Sequence, residues 1–190
     1  MKYINREQKG TYGYVRKQLI FETVKTLVLF VMAIGIFLIG LLTLHTKKSL
    51  WSVLAVLALL PACRSLVGVI MLARYRSISA ADHERYSGYA GNMRVLYENI
   101  LTTSGKSFFV PVICVCCGNV IAYFPGKDAD NSLKEHLDNV LKSSGNTANV
   151  KVFDSEEAFE RRCTEMKEKL SDNPDSGSAT IINTIKAVSL

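Results

Sequence analysis

Hydrophobic and polar positions divide this chain into two unlike stretches. Residues 26–44 carry no charged side chain, and residues 50–72 carry a single one, Arg64. A helix of about 20 apolar residues crosses the hydrocarbon core of a bilayer, and soluble cores rarely contain uncharged runs this long. Both runs therefore predict membrane-crossing helices. Between them stand only His45, Thr46, Lys47, Lys48 and Ser49, enough for a tight turn between antiparallel helices. The pattern predicts a transmembrane hairpin over residues 26–75, behind a basic cytosolic segment at 1–25.

Beyond it the periods shorten. Residues 77–92 mix Ala, Asp, His, Glu and Arg with Gly88 and Gly91, which reads as a short polar helix and a flexible joint, a connector. Residues 94–103, 107–117 and 120–124 are rich in Val, Ile, Phe and Tyr and predict three antiparallel strands. Gly118-Asn119 suits a two-residue II′ hairpin turn, with Gly118 supplying the positive φ. In the middle run, strict alternation sets Phe109, Ile113 and Val115 on one face and Phe108, Val110, Val112, Cys114 and Cys116 on the other. Two apolar faces imply a central strand covered on both sides. Pro111 cannot donate a ladder hydrogen bond, so a bulge or an edge position is expected there.

Ser132 and Glu135 form a capping box ahead of a helix whose Leu133, Leu137, Val140 and Leu141 share one face, ended by Ser143-Ser144-Gly145. Residues 149–153 read as a strand. Asp154 and Glu157 cap a second helix with a stripe of Phe159, Cys163, Met166 and Leu170. Residues 173–178 form a linker, and 180–188 a final strand or short helix. The expected fold is a two-helix transmembrane hairpin plus a small cytosolic α/β (α+β) domain at 93–190, a three-strand antiparallel meander followed by helix, strand and helix.

Charge adds orientation. Residues 1–76 hold 11 Lys or Arg against two acids, whereas residues 77–190 hold 12 basic and 15 acidic side chains. The excess flanks the apolar runs, with Arg16, Lys17 and Lys25 before them and Arg74, Arg76 and Arg85 after them, so it reports topology rather than nucleic-acid binding. Both termini are expected in the cytoplasm, the protein being multi-pass in the plasma membrane. Five cysteines, three of them within four positions, make a poor disulfide framework and suit a reducing cytosol.

Candidate chemistry is sparse. Cys114, Cys116 and Cys117 could offer thiolates to zinc or copper, but a closed zinc site needs four ligands and strand alternation turns Cys117 away from the other two. Buried cysteines acting as small hydrophobes are the default reading. Asp128-Ala129-Asp130 resembles the Asp-x-Asp element of nucleotide-sugar transferases, and that resemblance implies a divalent cation held between diphosphate oxygens. Acids ahead of a helix N-terminus are also expected from the dipole and the turn. The element order is compatible with restriction-endonuclease-like folds, yet the strands lack the ionisable pair such nucleases need. No cofactor or metal is assigned.

Arg64 lies near the middle of the second run, where an antiparallel hairpin sets it beside residues 30–33. A guanidinium at the bilayer centre costs about 2.5–3.5 kcal/mol on insertion scales, so it calls for a polar partner from another subunit or a snorkelling route. Ala58 and Ala62 present a small face suited to close helix approach beside it. These features predict a membrane-anchored cytosolic interaction module whose partners are the bilayer and a protein or second copy, without nucleic acid. The alternatives are a metal- or nucleotide-dependent enzyme built on Asp128 and Asp130, or a small oligomeric membrane protein.

Overall fold

A computed structural model describes residues 9–44, 50–103, 106–126, 130–168 and 176–189. The chain resolves into two compact units, one formed by residues 15–76 and the other by residues up to 14 together with those from 77 onward. Asp128 and the turn at 45–49 lie outside the described residues.

The first unit is a pair of helices, α1 (Tyr14–Leu44) and α2 (Leu50–Ala73). At 1.5 Å per residue they are about 46 and 36 Å long. Each contains a window long and apolar enough to cross a membrane, with mean hydropathy 2.3 and 2.1, and only 17% of each window is buried. A core helix of a soluble protein would show the reverse. Leu27, Val31, Ile34, Leu38 and Leu42 of α1, with Val53, Leu57, Leu60, Val67 and Ile70 of α2, all stand exposed. α1 begins twelve residues ahead of the uncharged run, because Arg16 to Lys25 are themselves compatible with a helix.

The second unit contains α3 (Ala80–Ala90), β1 (Arg94–Thr103), β2 (Lys106–Cys116), β3 (Asn119–Tyr123), α4 (Asp130–Ser143), β4 (Asn149–Phe153), α5 (Glu156–Glu168) and α6 (Ser176–Val188). The sheet order is β1-β2-β3-β4, antiparallel except for the β3/β4 pair, which is parallel because α4 carries the chain back. Leu133, Leu137 and Leu141 of α4 and Ile181, Ile182 and Ile185 of α6 pack on one face. Tyr86 and Ala90 of α3 and Phe159, Cys163 and Met166 of α5 cover the other. The expected meander with helix, strand and helix is thus a three-layer sandwich, with β2 central and apolar on both faces.

Three local expectations change. Residues 77–92 are no mere connector, since α3 is capped by Ser79, whose side chain accepts from Asp82 N–H, and buries Tyr86 and Ala90 in the core. Residues 9–13 of the basic leader also belong to this unit: Gly10 O accepts from Tyr97 N–H at 2.9 Å, and Lys9 Nζ donates to Ser189 O. Of the two alternatives for the terminal segment, strand or short helix, the structure has the helix α6. The β2–β3 turn is Cys117-Gly118 rather than Gly118-Asn119, with φ of 48° and 72°, the two positive values of a I′ turn.

At Pro111 the alternation reverses. Phe108 and Val110 share a core face with Ile113 and Val115, while Val112, Cys114 and Cys116 face the other side, so the strict period expected along this strand fails at its midpoint. β1 reverses opposite, with Leu96 and Leu101 on the same face. The pairing Tyr97↔Val112 and Asn99↔Val110 leaves out Glu98 and Pro111, one residue on each strand, so the register survives. Pro111 also stands one residue beyond the β3 ladder, which starts at Val112. The missing N–H is tolerated there because no partner requires it.

Candidate functional site

Cys117 and Glu98 are the described non-glycine residues with left-handed backbone, at φ 48° and 52°. Such conformations cost free energy and persist where the surroundings impose them, often at functional positions.

At the turn, positive φ cancels the strand alternation that would send neighbouring side chains apart. Cys117 swings back until its sulfur lies 3.3 Å from that of Cys116. The expectation that Cys117 points away from the other thiols is thereby corrected. Cys116 is buried and Cys117 exposed. Cys117 lines an open cavity of about 510 Å³ with Gly118, Asn119, Lys142, Thr147, Ala148 and Asn149. Asn149 N–H donates to Gly118 O at 2.8 Å, which ties the turn to the start of β4. On the same face as Cys116, the buried thiols of Cys114 of β2 and Cys163 of α5 interact. That interaction, reinforced by burial, pushes the Cys114 thiol well up, and it holds the Cys163 thiol below its ordinary range against burial. Cys114 and Cys163 otherwise pack as core hydrophobes beside Phe159 and Met166.

Glu98 was not visible in the sequence as a site. It is 2% exposed, and its Oε1 accepts from Gly13 N–H at 3.1 Å, from Ile78 N–H at 3.2 Å and from Ser77 Oγ–H. Three donors around one carboxylate oxygen offset its burial. Asn99 beside it is equally buried, with Nδ2 3.4 Å from Tyr97 O and no partner among the described residues for Oδ1. Next to this clamp the His83 ring lies between Tyr12 and Tyr97, with centroid distances of 4.3 and 4.7 Å. The available sequence signal was Glu98-Asn99 interrupting an apolar strand opposite a proline.

In the helical pair, Thr26 Oγ1 lies 2.8 Å from Ser65 Oγ, which donates to Glu22 Oε2 at 3.3 Å, and Lys25 pairs with Glu22. This contact sets Arg64 level with about residue 27, not with 30–33. Arg64 is exposed. Ala58 is half-buried and Ala62 fully buried, on the α2 face that carries Ser65 toward α1 of the same chain. Asp130 is the first residue of α4, so the helix starts ahead of the expected capping box. Among the described residues no group of three His, Cys, Asp or Glu is placed to hold a metal ion. No family model matches this chain, and no curated protein or solved structure matches it.

Proposed function

We propose that this chain is a membrane-anchored interaction module: α1 and α2 insert as a hairpin into the plasma membrane, and the α/β unit is held at the cytoplasmic surface to engage a protein partner. The single observation that carries this reading is the Glu98 clamp. One carboxylate receives Gly13, which precedes α1, and Ser77 and Ile78, which follow α2. A chain that leaves a folded unit at Gly13 and rejoins it at Ser77 returns to the side from which it departed, as a two-helix hairpin must. The basic flanks favour the cytoplasm as that side.

The level of Arg64 fits insertion without an intramembrane ion partner. The uncharged run of α1 starts at Thr26, and the Thr26–Ser65 contact sets Arg64 within about one helical turn, ~5 Å, of Lys25. Its guanidinium then reaches the headgroup level by snorkelling. The length of α1, about 46 Å, matches a bilayer with its headgroups, about 40–45 Å. Ala58 and Ala62 serve packing within the hairpin on this reading, and no second copy is needed to cover them.

The test combines alkaline carbonate extraction of membranes with photo-crosslinking from exposed positions of α5. The chain is expected in the carbonate-resistant pellet, with one discrete protein adduct. Release into the soluble fraction, or the absence of any adduct from every position tried, would remove the reading.

A further inference from the structure

We propose that Cys117 and Cys116 form a thiol–disulfide exchange site for small disulfides that carry carboxylates. The two sulfurs are already in contact at 3.3 Å, one exposed and one buried, and that asymmetry assigns their roles. Only Cys117 opens onto the cavity, so only it can meet a soluble reactant. Lys142 supplies a positive charge in the cavity wall, and Asn119, Asn149 and Thr147 supply amide and hydroxyl groups that suit a carboxylate- and amide-bearing ligand.

The exchange runs in two steps. The Cys117 thiolate attacks one sulfur of the small disulfide, forming a mixed disulfide and expelling one small thiolate, which takes up the proton lost by Cys117. Cys116 then loses its proton and attacks Cys117 Sγ. The Cys116–Cys117 bond forms, the mixed disulfide breaks, and the second small thiol leaves with that proton. Two protein thiols are oxidised and one small disulfide is reduced to two thiols. The product closes a ring through a single peptide unit in a turn whose left-handed Cys117 already brings the sulfurs together, so the strain at φ 48° is present before the bond is made.

The experiment uses the full chain in mild detergent with Cys63, the exposed cysteine of α2, replaced as Cys63→Ser, and glutathione disulfide as the probe. Intact mass and peptide mapping are expected to show loss of two hydrogens at 116–117. Cys116→Ser should stop at a glutathione adduct on Cys117, and Cys117→Ser should abolish both adduct and loss. Lys142→Ala should slow adduct formation about two- to fivefold, the weight of an exposed charge pair. An unchanged wild-type mass would overturn the proposal. So would the same two-hydrogen loss in Cys117→Ser, which would move the chemistry to Cys114 and Cys163.

Discussion

Glu98 and Cys117 share a left-handed backbone and differ in how that strain is offset. At Glu98 the side chain is buried and three donors converge on one oxygen, so the conformation is stabilised by the groups it gathers. At Cys117 the side chain is exposed at a turn tip, and its described contact is the neighbouring thiol. The comparison separates a structural use of strain, which fastens the segments flanking the hairpin to the sheet, from a chemical use, which holds an exposed sulfur against a buried one.

The contrast has opposite signs in stability. Glu98→Ala would strand the Gly13, Ile78 and Ser77 donors, and we expect a loss of about 3 kcal/mol, read as a lower denaturation midpoint of the detergent-solubilised chain. Cys117→Gly relieves left-handed strain and should stabilise by about 1 kcal/mol in the same assay. A loss of similar size at both positions would erase the distinction.

Between these two effects lies the leader. Residues 77–190 alone lack Gly13 at Glu98, Gly10 at Tyr97 and Tyr12 on His83, and we expect them to be about 2 kcal/mol less stable than a chain in which residues 1–13 are rejoined to Ser77 by a short glycine linker. Equal denaturant midpoints would show that the clamp contributes nothing.

A further effect concerns alkali. Burial, with help from Glu156, pushes the Tyr86 phenol up from 10.0 to about 12. The folded state therefore holds this proton more tightly than the unfolded state. The associated stability is complete below pH 10 and is lost as pH rises from 10 towards about 12. Tyr86→Phe should flatten that part of the stability profile, and an unchanged slope would assign it to other groups such as Tyr97 and Tyr123, which burial also raises.

Much of this was legible because it is periodic. The Leu133, Leu137, Leu141 stripe, the strand at Asn149–Phe153 and the Phe159, Cys163, Met166 stripe emerged where repeated apolar spacing set them. What was hidden depends on single residues acting against their period. The helix α3 was legible, but polar composition around Tyr86 and Ala90 hid its docking, although two buried side chains suffice to dock it. The phase reversal at Glu98 and Pro111 follows from one proline and one left-handed residue. The contact of Cys116 with Cys117 needed the turn to begin one residue earlier than Gly118 suggests. The level of Arg64 followed from where Thr26 meets Ser65, which run lengths alone do not specify.

The central claim is that both flanks of the hairpin lie on the cytoplasmic side, and Cys117 tests it most directly, because it is exposed whereas Cys163 is buried away from a soluble reagent. With Cys63→Ser as background, a membrane-impermeant maleimide should leave Cys117 unlabelled in intact cells and label it fully in everted membrane vesicles. Labelling in intact cells would contradict the account.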